Sequence, residues 1–138
     1  MTVFIDVNVI MYAAGSSHPH QAPSQRLLEG VLQARVEAIS DTEILQELLY
    51  RFWRLKKVEL GVQLVRQVVE VLPNLLPVES RDGVLAAALL SQHPAIEPRD
   101  AIHAAVMLNH GLTHLYSYDH HFDHIPGLRR LEPSPSSR

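Results

Sequence analysis

The 138-residue sequence contains no cysteine, which excludes disulfide bonds, thiolate metal sites and a thiol nucleophile. It also lacks any apolar run of about 18 residues, the length that a membrane-spanning helix needs. Its most apolar N-terminal stretch is interrupted by Asp6 and Asn8, so we expect no signal peptide. These absences lead us to expect a cytoplasmic protein that does not associate with membranes.

Positive charge is scarce as well, because 12 lysines and arginines stand against 15 acidic residues, for a net charge of −3. That balance argues against a protein coated in basic surface for nucleic acid. It does not exclude a nucleic-acid enzyme whose acids are concentrated in one site. The length suits one domain, which we assign to residues 1–133, with 134–138 as a flexible C-terminal tail.

The apolar pattern predicts strands separated by helices. The predicted strands are 3–6, 36–40, 74–79, 113–119 and 128–133, and the predicted helices are 25–34, 40–55, 58–72, 81–93 and 98–111. Residues 7–14 either continue the first strand or form a helix, and 15–24 read as a loop. Ser40 and Glu43 match the capping-box pattern at a helix start. This alternation implies right-handed crossovers and a mainly parallel sheet, where ligands bind at the carboxyl ends of strands.

Acidic residues occupy unusual places in this pattern. Asp6 interrupts the apolar segment FIDVNVIMYA, and burying an unpaired carboxylate costs several kcal/mol. Asp6 and Asp119 both fall where a predicted strand stops. Each acid also has an ordinary explanation: helix capping for Asp6 and Asp100, turn chemistry for Asp119, and a solvated helix border for Glu47. The combination is more informative than any single acid.

The segments FIDVNVIMYA, EILQELLYRF, PRDAIHAAVMLNHG and YSYDHHFDHIPGLRRLEP together closely resemble the PIN domain, in particular the VapC-type toxin ribonucleases. The resemblance runs from residue 3 to residue 133. It implies a three-layer α/β/α fold with a central, mainly parallel twisted sheet flanked by helices. It places the family's acids at Asp6, Glu47, Asp100 and Asp119, with Asp123 as a further acid and Asn8 as the polar residue after the first aspartate. Either Ser40 or Thr42 corresponds to the hydroxyl residue near the start of the Glu47 helix.

The resemblance implies hydrolysis of RNA that leaves 5′-phosphate and 3′-hydroxyl ends. Carboxylates crowded into one pocket repel each other, and hard cations such as Mg²⁺ or Mn²⁺ relieve this repulsion by binding oxygen ligands. The expected metal ligands are Asp6, Asp100, Asp119 and Asp123. Glu47 is expected to hold the water shell of the metal or to help deprotonate the nucleophile.

The only dense basic cluster is RFWRLKK, residues 51–57. Its cations Arg51, Arg54, Lys56 and Lys57 could guide an RNA backbone, complement a helix dipole, or belong to a partner surface. The resemblance implies two partners besides RNA, namely a cognate antitoxin and a second copy of the chain. Among the nine histidines, we expect His103 to be packed and hydrogen-bonded, and we do not expect HPH or HHFDH to form a zinc site.

Other functions fit the sequence less well. A phospho-acceptor receiver domain needs a lysine late in the chain, whereas the lysines here are Lys56 and Lys57. A P-loop or dinucleotide enzyme needs a glycine-rich phosphate loop, which the sequence lacks. Two alternatives remain open, a non-catalytic module that binds RNA or protein and a housekeeping RNA-processing nuclease without an antitoxin.

Overall fold

The computed structural model describes residues 1–134, so residues 135–138 of the predicted tail lie outside the described part. The elements in chain order are β1 Val3–Ile5, α1 Val7–Ala14, α2 Gln21–Leu32, β2 Ala38–Ile39, α3 Glu43–Arg54, α4 Val58–Val71, α5 Ser80–Gln92, α6 Pro98–Asn109, β3 His114–Tyr116, a 3₁₀ helix His120–His124, and β4 Arg129–Leu131. None of the helices in this part is both long and apolar enough to cross a membrane.

The strands form one parallel sheet in the order β2-β1-β3-β4. The prediction of a mainly parallel sheet flanked by helices is therefore confirmed. Strand β1 lies in the middle, and its side chains alternate between two cores, as a pleated strand requires. Phe4 packs with α5 and α6 on one face, whereas Val3 and Ile5 pack with α1 and α2 on the other. A further cluster joins α1 to α3 and α4.

The ambiguous segment 7–14 is helical, because Asp6 ends β1 and caps α1. The backbone of Asp6 is extended, and its side chain accepts a hydrogen bond from the Val7 amide, which is the role of an N-cap residue. Helix α2 starts at Gln21, earlier than the predicted residue 25. The loop prediction for 15–24 was too long because Pro23 lies in the first turn, where a proline costs no hydrogen bond.

Two other sequence predictions were wrong. Residues 74–79 form no strand, since only an isolated bridge joins Leu76 to Asp41, and Pro77 has no N–H with which to continue the ladder. The capping box at Ser40 is absent, because α3 starts at Glu43. Ser40 is buried instead and its hydroxyl donates to the Ile5 carbonyl at 2.7 Å.

Candidate active site

The site lies at the carboxyl ends of β1 and β3, in a cavity of about 390 Å³. Four of the predicted acids line this cavity, each from a different part of the chain: Asp6, Glu47, Asp100 and Asp119. Asp6 follows β1, Asp119 follows β3, and helices α3 and α6 contribute the other two. The parallel topology produces this convergence, because neighbouring parallel strands end at the same edge of the sheet.

Asp6 is almost fully buried, with 4% of its surface exposed. Its Oδ1 accepts from the Val7 amide at 2.8 Å and its Oδ2 accepts from the Ser117 hydroxyl at 2.6 Å. Burial raises the pKa of Asp6, and the nearby Glu47 carboxylate adds to that rise, although His103 and the Ser117 hydrogen bond oppose it. The site therefore holds this carboxylate where its negative charge is unfavourable without a cation.

Asp100 and Asp119 approach each other together with His121. One ligand atom from each of these three side chains lies within 4.8 Å of the others. The Nδ1 of His121 is 3.0 Å from Asp100 Oδ2 and 3.2 Å from Asp119 Oδ1. Burial and the charge of Asp119 raise the pKa of Asp100 from 3.8 to about 6, and the hydrogen bond to Asp100 raises the pKa of His121.

A hydroxyl group organises the strand ends behind these acids. Ser117 donates to Asp6, and its Oγ accepts from the Asn8 side-chain amide at 3.2 Å and from the Asp119 backbone amide at 3.0 Å. Asn8 also accepts from the Tyr118 amide at 3.3 Å and lines the cavity. Ser117 thus links the acid after β1 to the acid after β3, with Asn8 as the supporting polar residue.

Glu47 is held by a buried histidine, which sequence reasoning placed as a packed, hydrogen-bonded residue. His103 is 1% exposed, and its Nδ1 lies 2.7 Å from Asp41 Oδ2 while its Nε2 contacts Glu47 Oε1. Burial alone would lower the pKa of His103, but hydrogen bonds to both carboxylates hold it well above 6.5. His103 is therefore a buried cation between two acids. Sequence reasoning missed Asp41, whose position before a helix reads as an ordinary cap.

Comparison with known proteins identifies the family of this chain. Residues 3–128 match the PIN domain. The chain is 37% identical to ribonuclease VapC13 of Mycobacterium tuberculosis over 129 residues, which cover 94% of this chain and 98% of the relative. The chain belongs to the PIN domain family, and within it to the VapC branch.

Solved structures agree with this fold. VapBC2 from Rickettsia felis, bound to a DNA fragment from its promoter, matches with a TM-score of 0.74 at 18% identity, over 96% of this chain and 98% of that one. VapC20 of Mycobacterium tuberculosis, described as a sarcin-ricin loop cleaving toxin, matches with a TM-score of 0.70 at 18% identity, over 86% and 90% of the two chains. These similarities confirm the predicted three-layer PIN fold.

Asp123 does not join the other acids of this PIN domain. It is not among the cavity-lining residues, and its Oδ1 accepts from Arg130 Nε at 3.0 Å. That hydrogen bond lowers the pKa of Asp123. The assignment of Asp123 as a metal ligand stays a prediction. In the structure its side chain contacts Arg130 on β4, whereas Asp119, the N-cap of the same 3₁₀ helix, lines the cavity.

The predicted basic cluster divides into separate groups. Arg51 lines the cavity, whereas Arg54 lies near the Tyr50 hydroxyl at 3.4 Å. Lys56 and Lys57 line a different surface pocket together with Trp53. The cavity gains a second cation that sequence reasoning missed, Arg99, which precedes Asp100 on α6. A basic residue beside a candidate site acid was the available signal.

Neither candidate for the hydroxyl residue near the Glu47 helix reaches the cavity. Ser40 donates to Ile5, and Thr42 Oγ1 accepts from the Val78 amide at 3.2 Å. The hydroxyl that contacts a site acid belongs to Ser117. Its signal in the sequence was its place two residues before Asp119, at the end of the predicted strand.

The donor set fits a hard divalent cation. Carboxylate oxygens dominate it, and burial makes several of these charges costly unless a cation compensates them. One ligand atom from each of Asp100, Asp119 and His121 lies within 4.8 Å of the others, so these three could hold a metal ion. Asp6, at the end of the neighbouring strand, lines the same cavity as the two aspartates.

We expect the metal-free protein to lose stability as the pH rises from 5 to 8. A carboxyl whose pKa is raised on folding, such as Asp100 at about 6, favours the folded state at low pH, and this contribution is lost as the pH passes through that pKa. The raised pKa of His121 acts in the same direction. In EDTA, the Tm should fall by roughly 5 °C over this range.

Saturating Mn²⁺ should reverse that trend, because it binds the deprotonated native site and stabilises it by mass action. Scanning calorimetry at unit pH steps, with EDTA or Mn²⁺, measures both curves. A metal-free Tm that rises from pH 5 to pH 8, or curves that Mn²⁺ leaves superimposed, would contradict the compensated acid cluster.

Proposed function

We propose that this protein is a Mg²⁺- or Mn²⁺-dependent endoribonuclease and the toxin of a VapBC-type pair. The observation that carries the proposal is the convergence of Asp6, Glu47, Asp100 and Asp119 on one cavity, in a chain whose relatives are named VapC ribonucleases. Single acids at strand ends are common, but four from separate elements at one edge call for a cation. A phosphodiester is the substrate class that such a site hydrolyses.

In this mechanism, Asp6, Asp100 and Asp119 hold the cation, and His121 supports the last two through its Nδ1. When bound, the divalent ion polarises the scissile phosphate, lowers the pKa of water and stabilises the leaving oxygen. Arg51 and Arg99 line the same cavity and attract the RNA backbone by charge.

Glu47 is the residue placed to accept the proton of the attacking water. The Oε1 of Glu47 contacts His103 Nε2, and we assign the role of proton acceptor to Oε2. The water oxygen forms a bond to phosphorus while the bond to the 3′ oxygen breaks. That oxygen takes up a proton from solvent, and Glu47 releases the proton it accepted to solvent. The products carry a 5′-phosphate and a 3′-hydroxyl.

Cleavage of RNA in Mg²⁺, Mn²⁺ and EDTA tests the activity. We expect internal cuts in either metal, at least about 100-fold slower cleavage in EDTA because several kcal/mol of charge stabilisation are lost, and fragments that a 5′-phosphate-dependent exonuclease degrades. Undiminished cleavage in EDTA, or cyclic phosphate ends, would contradict the mechanism. Binding of RNA with no cleavage in any metal would favour the non-catalytic module instead.

The partner surfaces belong to the same proposal. Helices α3 and α4 expose large apolar side chains, with Trp53 62% exposed and Val58 48% exposed, and we assign this face to the homodimer and the antitoxin. We also propose a cytoplasmic location, because the RNA that a toxin of this kind would cleave is found there. Induced expression should arrest growth, and co-expression of a cognate antitoxin should relieve the arrest. Growth that continues with active enzyme present would favour housekeeping RNA processing.

A further inference from the structure

A cluster of four rings stands beside the acidic site and takes no part in the proposed hydrolysis. Tyr12, on α1, contacts His18 with ring centroids 4.6 Å apart, His20 at 4.9 Å and Tyr118 at 5.1 Å. His20 stacks on Tyr118 at 3.9 Å with an interplanar angle of 14°. These separations are those of favourable aromatic pairs, so the rings form one packed unit.

The rings divide into two that face the cavity and two that lie outside its lining. Tyr12 and His18 line the cavity together with the acids, whereas His20 and Tyr118 are not among its lining residues. The outer pair is held in place, because Tyr118 Oη lies 2.8 Å from the Ser24 hydroxyl and 3.3 Å from the His20 carbonyl. The cavity-facing pair therefore rests on an ordered support.

His18 is fixed although it is exposed. Its Nδ1 accepts from the His20 amide at 3.0 Å, and its ring also contacts the His20 ring at 4.8 Å. The loop that carries it is fastened at Gly15, whose carbonyl accepts from the Gln21 side chain at 2.7 Å. A ring that such contacts already hold in place loses little further entropy when a ligand stacks on it.

The aromatic rings and the site acids are joined by short stretches of chain. Tyr12 is on the helix that Asp6 caps, and Tyr118 directly precedes Asp119. The same cavity contains the cations Arg51 and Arg99. Aromatic faces together with cations and a backbone-cleaving site are the combination that binds single-stranded nucleic acid, through stacked bases and neutralised phosphates.

We propose that Tyr12 and His18 form a stacking subsite for the RNA base next to the scissile phosphate, an inference that rests on the ribonuclease function proposed above. The subsite accepts an unpaired base and does not select among the four, because every base has a π face. The cavity volume of about 390 Å³ lies in the usual range of small-ligand sites, about 300–1,000 Å³. Paired RNA cannot enter without unpairing.

Binding of a single-stranded RNA oligonucleotide tests this subsite in an Asp6→Asn background with Mg²⁺. Tyr12→Ala and His18→Ala should each weaken binding by about tenfold, the middle of the range for one stacked base, and Tyr12→Phe should bind like the parent because it keeps the ring. The matched controls are Tyr50→Ala and His124→Ala, which remove exposed rings outside the cavity and should change the affinity less than twofold.

An abasic scan separates stacking from a structural role. Oligonucleotides that lack one base at a time should reveal one position where the parent loses about tenfold, and Tyr12→Ala should lose nothing further at that position. Losses that add fully at every position, or alanine variants that bind as well as the parent, overturn the subsite. If the wild-type chain neither binds nor cuts RNA, both the ribonuclease proposal and the subsite fail. If the wild-type chain cuts RNA but Tyr12→Ala and His18→Ala bind RNA as tightly as the parent, the subsite alone fails.

Discussion

Replacing Asp6 with asparagine should reduce RNA cleavage at least about 100-fold. Asparagine has the same shape and caps helices as well as aspartate does, so the bond from the Val7 amide survives. The substitution removes the negative charge that a cation needs at the end of β1, and several kcal/mol of transition-state stabilisation depend on that cation. Single-turnover cleavage with saturating Mg²⁺ measures the loss.

The same substitution should not destabilise the metal-free protein at neutral pH. Burial raises the pKa of Asp6, so its ionised form opposes folding there, and the neutral amide removes this opposition. Asp6→Asn should therefore show an unchanged or higher Tm in EDTA and a smaller Tm gain on adding Mn²⁺. A variant that cleaves RNA as fast as the wild type would rule out the mechanism.

The variant Asp123→Asn tests whether Asp123 is a metal ligand, as the sequence predicts, or a partner of Arg130, as the structure places it. Asp123 forms a hydrogen bond with Arg130 outside the cavity. Asp123→Asn should therefore change the cleavage rate less than about threefold, as expected for the loss of an exposed ion pair. Glu70→Gln, an exposed substitution on α4, is the control for removing a carboxylate. A loss at Asp123 as large as that at Asp6 would restore it to the metal site.

Replacing His103 with leucine should cost about 3–5 kcal/mol of unfolding free energy, the usual result of removing one partner from a buried charge network. Asp41 and Glu47 would keep their buried carboxylates but lose the cation between them. The high pKa of His103 means that this cation is present at neutral pH. Urea denaturation with a linear extrapolation measures the change.

A second pair of variants shows whether charge is the cause. Adding Asp41→Asn to His103→Leu should recover part of the loss, because the amide carries no charge that needs a partner. His124→Leu removes an exposed histidine outside this network and should cost less than about 0.5 kcal/mol. A cost below about 1 kcal/mol for His103→Leu, or no recovery in the double variant, would mean that the histidine is not compensating its neighbours.

The fold could be predicted because its signals are local. Apolar periodicity identifies α3, α4, α5 and α6 to within a few residues, since each helix needs one apolar stripe to reach the core. The two errors had different sources, one in local chemistry and one in a tertiary contact. Pro77 limited a strand to one bridge, and Ser40 left the helix cap because the Ile5 carbonyl, distant in the sequence, offered a buried partner.

The sequence by itself determined which acids stand at strand and helix ends, and the parallel order of the sheet follows from its alternating elements. Only the tertiary structure decided which polar groups meet. Asp41, His103 and Glu47 come together across two helices, Ser117 links two strand ends, and Asp123 turns to Arg130. These pairings depend on the positions of side-chain atoms to within a few ångströms, whereas an apolar stripe depends only on the helical repeat.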